Sequence, residues 1–232
     1  MKLKTWQVSL ILALASYVVC ILAQAIPNFL AKTPPLLFPT DQYNQIELVG
    51  FTAGVIGVYL MVKESAWNYP IGLIWAVAYG WYFYSVARHL GEATVMIINA
   101  GYLIDGWIKW ARKTDQPNLP ITNLKRHHWI VIGITLLIVI PVLIKLLIEF
   151  RGNYVYFDAA TTTLGLTAQY LTNRKVFQCW YFWIAANIVI IPVFIIREYY
   201  PTAILYSIFT VMAFIGINQW RKSMRSQDEN NL

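Results

Sequence analysis

Charged residues are scarce in this chain of 232 residues, because Asp, Glu, Lys and Arg together make up only 12% of it. A typical soluble domain contains about 25%. Hydrophobic residues make up 58%, and long stretches lack the polar side chains that the outer face of a soluble helix needs. These shortages exclude a cytosolic enzyme, a nucleic-acid binder and a secreted disulfide scaffold, and they predict an integral membrane protein.

Cysteine is almost absent, since Cys20 and Cys179 are the only two. The topology predicted below places them near opposite faces of a bilayer whose apolar core is about 30 Å thick, so no disulfide is expected. His89, His127 and His128 lack the spacing of metal ligands. We therefore expect no metal site, no cofactor and no enzyme activity.

The chain is instead rich in long apolar runs. A membrane-spanning helix needs about 20 mainly apolar residues, and eight candidate runs occur, at 6–26, 46–62, 69–87, 92–110, 128–148, 158–172, 176–196 and 201–219. The triplet Ala23-Gln24-Ala25 is typical of a signal-peptidase site. The run before it exceeds the usual length of a signal-peptide core, about 7–15 residues, so a retained helix is favoured over cleavage.

Positive charge is unevenly distributed around these runs. With the N-terminus inside, 13 Lys and Arg residues fall on the inner side and 5 on the outer side. This bias predicts that both termini are cytoplasmic. It also explains the net charge of +7 without a nucleic-acid partner.

An internal repeat with an offset near 111 residues relates helices two to four to helices six to eight. Glu47 aligns with Asp158 and Tyr69 with Trp180, and a Gly-x-x-x-Trp motif closes each triplet, at 106–110 and 216–220. Each repeat has an odd number of helices, so the two repeats have the same orientation in the membrane only if a further helix lies between them. The run at 128–148 supplies that helix. The predicted fold is all-α, in a 1 + 3 + 1 + 3 arrangement of eight transmembrane helices. Its parts are an N-terminal helix and periplasmic connection (1–45), a first three-helix repeat (46–110), a cytoplasmic loop and linker helix (111–150), a second repeat (151–222) and a cytoplasmic tail (223–232).

Parallel repeats of this kind are a transporter arrangement, with the substrate held between the halves. The seventh helix carries the sharpest candidates, because Trp180, Trp183 and Asn187 share one face. Two indoles offer stacking to a flat or cationic ring, and the amide can donate and accept hydrogen bonds. The alternative is an interfacial Trp belt with an Asn that packs helices.

Other helices offer facing partners. The remaining candidates for substrate binding are Trp75 and Tyr79 on the third helix, Asn99 and Tyr102 on the fourth, Gln169 on the sixth and Tyr206 on the eighth. Packing is the alternative for the aromatic stripe. The repeat equivalents of Gln169, Trp183 and Asn187 are Val58, Gly72 and Ala76, so we expect the second half to supply most of the specificity.

Buried ionisable groups are few, which favours uncoupled facilitation over ion-driven symport. Glu47 and Asp158 are expected at the outer helix ends, where they either complement the helix terminus or attract a cation. Asp105 is expected to pair with Lys109, four residues further along the helix.

From about Glu47 to Lys222 the chain resembles the PnuC family of vitamin transporters. The resemblance rests on Trp67-Asn68-Tyr69-Pro70-Ile71-Gly72, Gly106-Trp107 with Trp110, Asp158, Ala168-Gln169, Leu171, Lys175, Trp180, Trp183-Ile184, Asn187, Leu205-Tyr206 and Gly216 with Trp220. It implies a SWEET-like fold and a vitamin site lined by Gln169, Trp180, Trp183 and Asn187. It also implies facilitated diffusion by alternating access, trapping through phosphorylation by a cytoplasmic kinase, a homotrimer and a bacterial inner-membrane location.

The sequence departs from this family where Gln178 replaces a frequent acid. Nicotinamide riboside is the expected substrate, while thiamine, a deoxynucleoside or, in a SWEET-like facilitator, a sugar are alternatives. Outside transport, a ligand-binding membrane scaffold or receptor is the competing function. Flux measurements distinguish it from a carrier.

Overall fold

A computed structural model describes residues 5–24, 42–85, 90–111, 119–149 and 154–230. In these ranges the chain forms eight α-helices: α1 (Thr5–Gln24), α2 (Gln42–Val62), α3 (Asn68–Ser85), α4 (Leu90–Ala111), α5 (Arg126–Glu149), α6 (Val155–Asn173), α7 (Cys179–Ile196) and α8 (Tyr200–Asn230). The described residues contain no sheet, only an isolated parallel bridge between Thr122 and Val176. The all-α prediction with eight helices is confirmed.

The helices form two three-helix bundles. In the first, α3 packs against both α2 and α4, and in the second, α7 packs against both α6 and α8. The bundles meet where α2 lies against α8 and α4 against α6. The 3 + 3 pairing therefore follows the sequence repeat.

Four helices contain stretches long and apolar enough to cross a membrane: 45–62, 126–149, 179–196 and 200–229. Among the others, α6 is less apolar because it is rich in threonine. The hydroxyls of Thr163, Thr167 and Thr172 each donate to the carbonyl four residues earlier, at 2.7–2.9 Å. Since these groups are satisfied within their own helix, they remain compatible with an apolar surrounding.

The helix bounds differ most from the sequence prediction at the start of α2 and the end of α8. Helix α2 begins at Gln42 rather than at 46. Helix α8 continues to Asn230, through the predicted tail, because the polar segment after Trp220 still packs: Met224 contacts the core and the Gln227 side chain accepts a hydrogen bond from the Ile121 amide at 3.2 Å. Of the predicted non-helical connection at 27–45, the part from 42 onward belongs to α2, while the rest and the predicted cleavage position at Ala25 lie outside the described residues.

Glu47 and Asp158, the carboxylates at equivalent positions of the repeat, have different partners. Glu47 was expected at a helix end, but it lies in the second turn of α2, where it is 4% exposed and accepts a hydrogen bond from Thr202 of α8 at 3.2 Å. Asp158 lies in the first turn of α6 and forms an ion pair with Arg197 at 3.0 Å. Glu47 therefore joins the two bundles, whereas Asp158 acts within the second one.

The turn after the first helix of each bundle has one backbone geometry in both repeats. Ser65 N donates to Leu60 O and Glu64 N to Met61 O, and the equivalent bonds run from Val176 N to Leu171 O and from Lys175 N to Thr172 O, all at 2.9–3.0 Å. Glu64 and Lys175 have left-handed φ values of 56° and 54°. This is the Schellman helix ending, which usually has glycine at that position.

The two left-handed residues contact each other. Lys175 Nζ lies 2.8 Å from Glu64 Oε2, and Lys175 is 1% exposed. The ammonium group also lies 5.3 Å from the centre of the Trp110 ring. An ion pair of opposite charges at equivalent positions therefore connects the turns of the two bundles.

The Gly-x-x-x-Trp motif has the same packing role in both bundles. Trp110 meets Tyr69 edge-to-face and Trp220 meets Trp180 edge-to-face, each pair with ring centroids 5.3 Å apart. A Cβ at Gly216 would lie 2.5 Å from the Trp180 ring, and one at Gly106 would collide with the Tyr69 ring. Glycine is needed at both positions because an aromatic ring occupies the side-chain space.

Helix α5 differs from the others because none of its residues is buried. It packs against α6 only along one edge, through residues such as Ile132 and Leu136. Its remaining surface is apolar, as expected for a linker helix that faces lipid.

Candidate substrate-binding cavity

A cavity lies between the two bundles, with about 690 Å³ of empty space that includes open solvent. Its lining residues are Gly54, Gly57, Val58, Met61, Asn68, Gly72, Trp75, Leu103, Gln169, Trp180, Trp183, Asn187, Tyr206, Phe209 and Ala213. Six of the nine residues predicted from the sequence, Trp75, Gln169, Trp180, Trp183, Asn187 and Tyr206, are among them.

The face of α7 supplies the centre of the wall. Trp180 is 1% exposed, and its indole N–H has no hydrogen-bond partner among the described residues. The indole N–H of Trp183 instead donates to Thr172 Oγ1 of α6 at 3.1 Å. The Trp183 ring is therefore held in place through its edge, which leaves its face as the surface available for stacking.

The second bundle supplies two of the three amide side chains in the wall. Asn187 is 2% exposed and makes no hydrogen bond to any residue that the structure describes. Gln169 is 8% exposed and donates from Nε2 to Asn173 Oδ1 at 2.9 Å. A buried amide without a protein partner is costly, so Asn187 is well suited to meet a polar ligand.

The first bundle and α8 close the opposite wall with aromatic side chains. Trp75 has a buried indole N–H that lacks a hydrogen bond in the described part of the chain. Tyr206 lies against Phe209, with ring centroids 5.5 Å apart. This wall contributes apolar surface together with an unsatisfied donor.

Three sequence candidates lie outside the cavity lining. Tyr79 is 2% exposed and packs against Tyr82 and Phe83. Asn99 is partly exposed on α4. Tyr102 contributes its backbone, because its carbonyl accepts a hydrogen bond from Asn173 Nδ2 at 2.7 Å. A shared helix face did not distinguish these three residues from those that line the cavity. The sequence does not tell which faces of α3 and α4 are turned toward the second bundle.

Sequence reasoning missed several residues at or behind the wall. Asn68 lies in the wall and donates from Nδ2 to Ser65 O at 2.6 Å. Thr172 and Asn173 lie behind it, at the end of α6, and are 1% and 0% exposed. The signal for them was present as a cluster of polar residues at the end of an apolar run.

Among the described residues, no charged side chain lines the cavity. The Glu64–Lys175 ion pair, in the turns after α2 and α6, lies outside the lining, as does Asp105–Lys109 on α4, which has the predicted spacing and a distance of 2.5 Å. Within the described residues, no three His, Cys, Asp or Glu side chains are grouped to hold a metal ion. The arrangement is therefore suited to bind a flat, polar molecule through stacking and amide hydrogen bonds.

Two three-helix bundles that enclose such a cavity, in a chain with several helices apolar enough to cross a membrane, define a multi-pass membrane transporter for a small molecule. The chain belongs to the nicotinamide mononucleotide transporter family, whose model matches residues 44–222.

Curated relatives are named for vitamin transport. The nicotinamide riboside transporter PnuC of Escherichia coli strain K12 is 23% identical over 216 residues, which cover 81% of this chain and 89% of the relative. The riboflavin/roseoflavin transporter RibM of Streptomyces davaonensis is 23% identical over 180 residues, covering 75% and 83%. The resemblance to the PnuC family is thus confirmed.

A solved structure shares the fold. The crystal structure of the vitamin B3 transporter PnuC matches with a TM-score of 0.70 and 18% identity, and the match covers 97% of this chain and 99% of that one.

Proposed function

We propose that the protein is an uptake carrier for a vitamin with a flat ring, most specifically for nicotinamide riboside. The observation that carries this proposal is the cavity wall in which the indoles of Trp180 and Trp183 lie on the same helix face as Asn187, whose amide makes no hydrogen bond to a described residue. A pyridinium ring is attracted to indole faces by the cation–π interaction. The carboxamide and ribose hydroxyls supply hydrogen-bond partners for Asn187 and Gln169.

Riboflavin is a second candidate because of the relative RibM, and thiamine, deoxynucleosides and sugars remain competitors. Isothermal titration of the purified, detergent-solubilised protein with each of these compounds distinguishes them. We expect nicotinamide riboside to bind, and to bind at least about fivefold more weakly to Trp183→Ala, since a lost aromatic contact costs about 1–3 kcal/mol. Trp107→Ala is the control, because Trp107 is 45% exposed and outside the cavity lining.

We further propose that transport is facilitated diffusion by alternating access, made effectively one-way by phosphorylation of the arriving substrate by a cytoplasmic kinase. The absence of charged groups from the cavity wall supports transport without ion coupling. Counterflow in proteoliposomes is expected to proceed without a proton or sodium gradient. Binding without flux would favour a membrane receptor or scaffold, and dependence on a gradient would overturn the uncoupled mechanism.

The proposed setting is a bacterial inner membrane, with both termini in the cytoplasm and the chain assembled as a homotrimer. The bias of Lys and Arg supports this orientation. Accessibility of cysteines introduced near each terminus, measured in spheroplasts and inverted vesicles, tests it. Light scattering in detergent tests the oligomeric state.

A further inference from the structure

Gln169 lies in the cavity wall, and its amide has two chemically different ends. The oxygen accepts hydrogen bonds and the nitrogen donates them. Which end is available to a ligand depends on the groups that hold the amide from behind. Three groups outside the cavity wall decide it: the side chains of Asn173 and Asp105 and the carbonyl of Tyr102.

Asn173 connects α6 to α4 through two hydrogen bonds. Its Nδ2 lies 2.7 Å from the backbone oxygen of Tyr102 and 3.0 Å from Asp105 Oδ2. A backbone carbonyl and an ionised carboxylate can both accept hydrogen bonds but cannot donate them. Asp105 is held ionised by Lys109, whose Nζ lies 2.5 Å from the same oxygen.

These two acceptors fix the orientation of the Asn173 amide. The flipped amide would place Oδ1 against two other oxygens and lose both hydrogen bonds. Asn173 is 0% exposed, so bulk water cannot replace those bonds, and leaving them unmade in a buried position is costly. The NH₂ group of Asn173 therefore faces α4, and its Oδ1 faces Gln169.

The orientation of the Asn173 amide in turn fixes the orientation of the Gln169 amide. Asn173 Oδ1 is an acceptor, and Gln169 Nε2 donates to it at 2.9 Å. A flipped Gln169 would bring two amide oxygens together. With its nitrogen engaged in this way, Gln169 keeps its Oε1 free of hydrogen bonds from any described residue.

We infer that Asn173, braced by Asp105, is a positioning residue that presents the Gln169 carbonyl oxygen to the cavity, and thereby selects ligands that bring a hydrogen-bond donor over ligands that bring a carboxylate. This inference rests on the proposed function and deepens it. A carboxamide N–H satisfies the Gln169 oxygen, whereas a carboxylate would oppose it with like partial charge.

Two ligands that differ only in this group test the inference: nicotinamide riboside carries a carboxamide, and nicotinic acid riboside carries a carboxylate. Titration of each into the purified protein gives the ratio of their affinities. We expect the wild type to prefer the carboxamide by at least about tenfold. In Asn173→Leu the Gln169 amide is free to turn, and the ratio is expected to fall at least about fivefold.

Two further variants separate positioning from a general structural effect. Asp105→Asn replaces one of the two obligate acceptors with an amide that can present either its oxygen or its nitrogen, on a side chain that is 45% exposed. It is therefore expected to fold and to lower the ratio by less than Asn173→Leu. Thr163→Val is the control, because the Thr163 hydroxyl is buried on the same helix and bonds only to the carbonyl of Ala159. It is expected to keep the ratio of the wild type.

The possible failures are distinguishable. Equal binding of both ligands to the wild type would overturn the inference and leave the proposed carrier function intact. A preference that persists in Asp105→Asn and Asn173→Leu, whatever the change in absolute affinity, would also overturn it. Binding of neither ligand would overturn the proposed substrate, and with it the inference that rests on it.

Discussion

The two three-helix bundles share a scaffold but differ in the side chains that they bring to the cavity. Each has the same Schellman turn and the same glycine beneath an aromatic ring, and the third helix of each carries a tryptophan in an edge-to-face contact. Their contributions to the cavity differ, because the second bundle supplies Gln169 and Trp183 where the first has Val58 and Gly72.

This difference indicates how a repeat produces one binding site rather than two. The backbone and the helix packing need only small residues and rings at fixed positions, which both halves retain. The polar and stacking groups are concentrated in one half. Gly72 of the other half lies in the same cavity wall, where a Cβ would lie 3.0 Å from Leu103 Cδ2, so its small size accommodates the Leu103 side chain.

The largest expected effect comes from breaking the link between the bundles. Glu64→Gln leaves Lys175 buried without its counter-charge, and we expect a loss of about 3–5 kcal/mol of stability. The measurement is the midpoint of thermal unfolding in detergent.

Lys109→Met is the control for this prediction. It breaks a pair within one helix whose Lys109 side chain is 36% exposed, and such exposed pairs contribute about 0–1 kcal/mol. Equal shifts in the two variants would show that the Glu64–Lys175 pair does not stabilise the contact between the bundles.

The symmetry of the scaffold is tested by Gly106→Ala and Gly216→Ala. A Cβ at either position meets the ring of Tyr69 or Trp180, and we expect each variant to lose about 1–3 kcal/mol by overpacking. Gly133→Ala on α5 has nothing within 4 Å, so it should retain the unfolding midpoint of the wild type or exceed it. A large effect in only one bundle would contradict an equivalent role of the two glycines.

The asymmetry of the cavity is tested by Asn187→Leu. If this amide binds the substrate, the affinity for nicotinamide riboside should fall by about 1–3 kcal/mol, or roughly fivefold to more than a hundredfold, while the protein stays folded. Asn218→Leu, on an exposed position of α8, is the matched control. Unchanged affinity in Asn187→Leu would remove Asn187 from the site.

The smallest effect is expected for Tyr79→Phe. Its ring packs against Tyr82, Phe83 and the backbone of Gly50, and the substitution retains the ring. We expect titration to show a change in affinity of less than about twofold, because the ring supplies the packing. A tenfold loss would show that the hydroxyl contacts the substrate.

Much of the fold could be predicted from the sequence because apolar runs and a repeat are local or periodic signals. The face of α7 that carries Trp180, Trp183 and Asn187 followed from helix geometry alone. The placement of Tyr79, Asn99 and Tyr102 did not, since a shared face does not tell which neighbour that face meets. The end of α8 differed because a polar residue after Trp220 contacts a distant segment, as the Gln227 side chain does when it accepts a hydrogen bond from the Ile121 amide.

The sequence by itself determined the membrane class, the eight helices, their grouping by repeat and the bundle that carries the polar groups, because hydrophobicity and helical spacing act over short distances. Only the tertiary structure decided which candidates line one cavity, that Glu64 pairs with Lys175, and how Asn173 orients Gln169. Those facts depend on contacts between residues far apart in the chain, as in the bond of Asn173 to Asp105, 68 residues away. The packing of the helices creates these contacts, and no local sequence pattern encodes that packing.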